Sequence, residues 1–218
     1  MASCVVRYTC DICERKRYSL NIWLGFSLGY SVLAISTLIR TLLAVFKKIE
    51  LNPGGSSFDE SPHFSDQAKK ILIQHYSRIQ GTLGFWKNQA EKYKRFHYYC
   101  MYWTIPASIM IPIITQWIDG QPYSKWLPTI ISTHTAILIA FHNGFKVDKN
   151  FKSFRHGESD YYDLNRRLLD RPETFGKTED ERLNNYFREV EIVRRFVRNA
   201  ETDNLPMVED VKNNTIAK

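Results

Sequence analysis

Residues 101–118 and 126–145 carry no charged side chain, counting His134 and His142 as neutral, and only the polar turn 119–125 separates them. Each stretch is close to the roughly 20 apolar residues needed to cross a hydrocarbon core of about 30 Å. Pro106 and Pro112 in the first stretch would kink or break a helix in water, yet prolines are tolerated in bilayer helices, where neighbouring helices satisfy the freed backbone groups. Two such stretches around so short a turn predict a transmembrane helical hairpin over residues 101–145.

Charge fixes the expected orientation. Lys87, Lys92, Lys94 and Arg95 precede the hairpin and Lys146, Lys149, Lys152 and Arg155 follow it, whereas the turn holds Lys125 alone. The positive-inside bias then places both flanks in the cytoplasm. Trp103, Trp117, Tyr123 and Trp126 fall near the expected interfaces, where amphipathic rings collect.

A further apolar block, residues 20–46, is bracketed by Arg15, Lys16 and Arg17 on one side and Lys47 and Lys48 on the other. It is too long for the 7–15-residue apolar region of a signal peptide, and no small-residue cleavage site closes it. Its length suits a membrane span. However, with residue 46 on the cytoplasmic side, a span leaves Arg7, Arg15, Lys16 and Arg17 outside, against the charge bias. A full span and an interfacial or protein-packed helix therefore both remain open at this level.

Residues 51–66 gather Pro53, Gly54, Gly55, Ser56, Ser57, Ser61 and Pro62, the composition of a flexible link, and Ser65 or Asp66 is placed to cap the helix that follows. Leu72, Tyr76, Ile79, Leu83, Trp86, Ala90, Tyr93 and His97 then recur at steps of four and three, which predicts one long amphipathic helix running into the hairpin. Its seam, with Leu72, Tyr76, Ile79, Leu83, Trp86 and Tyr93 as candidate contacts, either packs on the chain's own helices or joins copies into an oligomer. Beyond the hairpin, a polar helix ends at Arg171-Pro172. A last helix shows Leu183, Tyr186, Phe187, Val190, Val193, Phe196 and Val197 at helical spacing.

The fold expected is an all-α integral membrane protein. An N-terminal segment, 1–48, carries the hydrophobic helix; a linker covers 49–66. A two-transmembrane domain covers 67–204, with the hairpin at 101–145 and cytoplasmic helices at 67–100, 146–171 and 178–202. A disordered tail covers 205–218.

The order of a long helix, two short membrane helices, a long continuing helix and a terminal helix resembles the SLATT family, the SMODS and SLOG-associating two-transmembrane effectors of bacterial antiviral systems. The matching stretch is about residues 65–201. It is carried by HYSRIQGTLGFWKNQAEKYKRFHYYCMYW, by the hairpin, and by FKVDKNFKSFRHGESDYYDLNRRLLDRPETFG. The N-terminal block departs from the minimal two-helix pattern. The resemblance implies a membrane effector that homo-oligomerises and permeabilises the bacterial inner membrane, causing abortive infection. It also implies control by a sensor partner, a nucleotide synthase or a retron reverse transcriptase with its nucleic acid.

A pore needs polar groups on an otherwise apolar helix face. Thr104, Ser108 and Thr115 share a face of the first hairpin helix, and Ser132, His134 and Thr135 lie in the second. The plainer role for these hydroxyls is a bond to a carbonyl of their own helix, and for His134 a bond between helices. The remaining chemistry-bearing residues do not assemble into a familiar motif. Cys10-x-x-Cys13 has half the spacing of a zinc knuckle without a second pair nearby, and Cys4 and Cys100 stand apart. His156, Glu158, Asp160 and Asp163 lack the one-face spacing of a metalloprotease helix, and there is no P-loop or nucleophile elbow. Neither catalysis, nor a metal, nor a cofactor is expected. The net charge of +7 fits either an anionic partner or the bias of a membrane protein. Arg166, Arg167, Arg171, Arg188, Arg194, Arg195 and Arg198 fit either nucleic acid or pairing with acidic residues on neighbouring turns.

Overall fold

The computed structural model describes residues 2–47, 58–118 and 123–204, with side chains from residue 22 onward. Among these residues every regular element is helical: α1 (Ala2–Phe46), α2 (Asp66–Gln116), α3 (Trp126–Gly144), α4 (Val147–Asp170) and α5 (Glu179–Asp203), with short 3-10 turns at Phe58–Glu60 and Pro172–Thr174. Helix α1 extends well before the apolar block, because residues 2–19 contain neither proline nor glycine to interrupt it. Ser65 caps α2: its Oγ accepts from the Ala68 amide at 3.3 Å and its carbonyl from Lys69 at 2.9 Å. From there α2 is one helix through Pro106 and Pro112 to Gln116.

The contacts divide the chain into two units. One comprises Val45–His97 and Gly144–Lys218, the other Met1–Ala44 and Tyr98–Asn143. In the first, α2 supplies Leu72, Ile79, Leu83, Trp86 and Ala90, and α4 supplies Phe154, Tyr161, Leu164 and Leu168. Helix α5 adds Leu183, Tyr186, Val190 and Val197 to complete the apolar core. The heptad seam of α2 thus closes within the chain, on α4 and α5.

Part of the expected linker belongs to this core as well. Phe58 and Phe64 are buried, and the Ser65 amide and Oγ donate to the Glu179 carboxylate at 2.9 and 2.6 Å. Burying a large apolar side chain stabilises by about 1.5–3 kcal/mol, enough to order a segment whose composition alone favours flexibility. Residues 49–57 of that linker, the hairpin turn at 119–122 and the tail at 205–218 lie outside the described residues.

Helix α4 stops where expected: Arg171 takes φ −142° and ψ 63° ahead of Pro172, whose ring disfavours a helical predecessor. The Pro172–Thr174 turn leads to Thr178, which opens α5 with a capping box. Its Oγ accepts from the Glu181 amide, and the Glu181 carboxylate accepts from the Thr178 and Lys177 amides. Lys146, between α3 and α4, holds the left-handed conformation at φ 44°, and its Nζ donates to the Asp203 carbonyl at 3.0 Å.

In the second unit, Ala107 and Ile114 of α2 pack with Leu127 and Ile131 of α3, and Trp23 and Tyr30 of α1 join them. Only one described helix is long and apolar enough to cross a membrane, Ile22–Phe46. Its 25 residues rise about 37 Å, more than the hydrocarbon core requires. The second half of α2 and α3 fall short of that measure, since prolines, tyrosines, His134, His142 and Asn143 dilute their apolar residues.

Candidate functional site

The outer surface of the unit built from α1, the second half of α2, and α3 is apolar. Phe26, Leu28, Val32 and Leu43 of α1, Tyr102, Ile105 and Ile109 of α2, and Ile137 and Phe141 of α3 are all exposed. Soluble monomers rarely expose contiguous apolar patches of more than a few hundred Å². The polar groups of this unit fall on an open groove between α2 and α3, on hydroxyls bonded to carbonyls of their own helices, and in one inter-helix cluster.

The six polar residues expected on a pore face separate into different surroundings. Ser108 Oγ donates to the Ile105 carbonyl at 2.7 Å, Thr115 Oγ1 to Pro112 at 2.8 Å and Thr135 Oγ1 to Ile131 at 2.8 Å, each within its own helix. Thr115 and Ser132 line one open groove of about 540 Å³, with Thr129, Thr133 and Lys125 beside them. Thr104 and Thr135 are half-buried and lie outside that groove, as does Ser108, which is exposed.

His134 faces α1. Its Nδ1 and the Tyr30 hydroxyl share a hydrogen bond of 2.8 Å, and the Trp103 ring stands edge-on to both rings at 5.2 and 5.3 Å. A polar pair between apolar helices, roofed by an indole, joins α1, α2 and α3 at one point. Sequence spacing gives no signal for this cluster, because Tyr30 and His134 are 104 residues apart. Nearby, the Tyr99 hydroxyl donates to the Ala34 carbonyl at 3.4 Å, and the buried Cys100 Sγ lies 4.0 Å from the Leu138 carbonyl.

In the α2, α4 and α5 unit the six seam residues are core residues. Leu72, Ile79, Leu83 and Trp86 are buried, with Tyr76 and Tyr93 packed against the same cluster. An oligomer built on that seam would have to open this core. Glu158 is buried and ion-paired with Arg155 at 2.7 Å, so it is not gathered with His156, Asp160 and Asp163 into a site. Arg167 pairs with Glu189 and lies 4.5 Å over the Phe175 ring, and Arg195 pairs with Glu191 at 3.3 Å. Among the described residues no group of three or more His, Cys, Asp or Glu side chains is placed to hold a metal ion. The thiols of Cys4, Cys10 and Cys13 lie outside the described side chains.

Fold and surface together define an all-helical protein with one helix able to cross a membrane. Compared with protein-family models, curated proteins and solved structures, the chain has no match.

Proposed function

We propose that this chain is a multi-pass membrane effector of a bacterial antiviral system. In this reading α1, the second half of α2, and α3 sit in the inner membrane, and the helices flanking 101–145 lie in the cytoplasm. Several copies assemble and permeabilise the bilayer when a sensor partner releases them, and the permeabilised cell is lost before the virus is replicated. The reading rests on the apolar exterior carried by all three helices of one unit, against a charged exterior on α4 and α5. Lipid tails accept such a surface without cost, whereas water does not. The four-one-four distribution of basic residues around residues 101–145 supports that direction.

Induced expression in bacteria tests it. Membrane-impermeant dye should enter and the membrane potential should collapse within the same interval as growth arrest. Growth arrest with an intact potential and no dye entry would refute permeabilisation.

One observation favours a second reading, a non-conducting membrane scaffold whose cytoplasmic helices recruit partners. The Ser108, Thr115 and Thr135 hydroxyls each donate to a carbonyl of their own helix, and Ser108 and Thr135 lie outside the open groove. Tolerated expression with normal membrane potential supports that reading.

A further inference from the structure

A cleft of about 470 Å³ opens between α2 and α5, lined on one wall by His75, Phe85 and Trp86 and on the other by Phe187, Arg194 and Arg198. Its volume falls in the range of small-molecule sites, about 300–1,000 Å³. The two walls differ in chemistry. His75 and Phe187 meet ring against ring across the cleft at 4.6 Å, Trp86 is buried, and Phe85 on the α2 wall keeps 45% of its surface open although it meets Phe154 edge-on. On the basic side, Arg194 and Arg198 are one helical turn apart, so their guanidinium groups reach over the same face of α5.

The charges of this cleft are only partly matched. Arg195 is engaged by Glu191 at 3.3 Å, whereas Arg194 and Arg198 form no ion pair among the described residues. A run of arginines on a helix is ordinarily a solvated face. Here the guanidinium groups border a concave cleft of mixed aromatic and polar lining, and their field reaches into it. Burial holds the His75 imidazole below its ordinary pKa, and Arg194 and Arg78 add to that effect. A planar guanidinium also matches phosphate oxygens in a two-pronged geometry that a lysine does not.

Glu191 and Glu201 narrow the ligand class. Both line the cleft, and carboxylates repel a bare dianion but accept hydrogen bonds from hydroxyl or amino groups. A ligand that uses every wall carries a phosphate for Arg194 and Arg198, a flat ring for Phe85, and hydroxyl or amino donors for the glutamates. We infer that the α2–α5 cleft is a binding site for a nucleoside phosphate, with Arg194 and Arg198 on the phosphate and Phe85 against the base. The inference stands independently of the membrane role, because every residue it uses belongs to the α2, α4 and α5 unit.

Isothermal titration of the full chain in detergent micelles with adenosine monophosphate tests the site, with adenosine and inorganic phosphate as partial ligands. Adenosine monophosphate should bind with one site per chain, and each partial ligand should bind at least about ten-fold more weakly. Arg194→Gln combined with Arg198→Gln alters two exposed side chains and should weaken binding about ten-fold or more, while Arg166→Gln on α4 leaves it unchanged. Phe85→Leu, which keeps an apolar group of similar reach, should weaken adenosine monophosphate without affecting inorganic phosphate. Absence of binding at millimolar nucleotide overturns the site, as does binding that the double arginine variant leaves intact. Phosphate binding as tightly as the nucleotide overturns the ligand class, and so does a single-stranded oligonucleotide binding far more tightly than the mononucleotide.

Discussion

Gly157 of α4 lies so close to Val197 of α5 that a Cβ on the glycine would stand 2.2 Å from Val197 Cγ2 and 3.5 Å from Trp86 Cε3. Val197 is itself buried, and its branched side chain has few alternative rotamers, so it cannot swing clear. The absent side chain therefore sets how closely α4 and α5 approach. Gly157→Ala should destabilise the chain despite the roughly 1 kcal/mol by which alanine favours a helix, since overpacking costs about 1–3 kcal/mol. Adding Val197→Ala should recover part of the loss, leaving the double variant more stable than the sum of the two single effects. Thermal unfolding of the four proteins measures the coupling, and strict additivity would show that the two positions do not meet.

The start of α5 offers a second test. Thr178 and Glu181 satisfy one another's backbone amides, and Glu179 ties the same turn to Ser65 ahead of α2. Thr178→Ala should cost about 1 kcal/mol, whereas Thr178→Ser should be close to neutral because it keeps the accepting oxygen. Equal losses from both substitutions, read by chemical denaturation, would show that the methyl group rather than the cap matters.

Tyr161 and Tyr186 place their hydroxyls in the core without a hydrogen bond of normal geometry among the described residues. Burial holds both phenols protonated, raising Tyr161 far above its ordinary pKa and Tyr186 to about 12. The two hydroxyls interact with each other, so Tyr161→Phe trades a weak polar contact against the desolvation of a buried hydroxyl and should change unfolding free energy by less than about 1 kcal/mol in either direction. Tyr161→Ala removes a whole buried ring and should cost about 3–5 kcal/mol. A large loss in the phenylalanine variant would reveal a hydrogen bond that the core depends on.

The bond between Tyr30 and His134 fastens α1 to α3 and should be measurable in detergent. Tyr30→Phe keeps the ring that meets Trp103 and deletes only the hydroxyl, so the expected loss is about 0.5–1.5 kcal/mol. In a His134→Leu background the same change should have almost no effect. A Tyr30→Phe penalty of equal size in both backgrounds, seen in thermal melts, would show that the hydroxyl acts through another partner.

Much of the α2, α4 and α5 unit was legible from periodicity. Leu72, Ile79, Leu83 and Trp86 recur at the spacing of one helix face, and the apolar positions of the last helix from Leu183 to Val197 do the same, so the need for a shared core followed. The capping box Thr178-x-x-Glu181 was equally present as a pattern, though apolar spacing alone placed that helix. What spacing does not carry is the identity of the partner face. Nothing near Leu72 in sequence distinguishes a neighbour in the same chain from a second copy, and nothing near Gly157 announces Val197. Phe58 and Phe64 were obscured for a different reason: the surrounding Gly, Pro and Ser describe the backbone's freedom, while two aromatic rings decide that it docks. The candidate pore residues show the same limit, because a hydroxyl in an apolar helix has the same sequence signature whether it bonds its own backbone, as Ser108 does, or faces a partner.

His75 makes stability depend on pH in a direction that can be stated beforehand. Burial first, then Arg194 on α5 and Arg78 on α2, holds its folded-state pKa below the ordinary value of about 6.5. The folded chain therefore binds this proton less readily than the unfolded chain. The associated stability is fully present above about pH 6.5 and is lost as pH falls from there through the lower folded-state value. His75→Phe keeps a ring beside Tyr186 and Phe187 and removes the titration, so its melting temperature should fall less than that of the parent between pH 7 and pH 5. Arg194→Gln should give an intermediate slope, since it removes one of the three causes. If parent and His75→Phe lose stability in parallel across that interval, the acid sensitivity lies in another group and His75 is not its source.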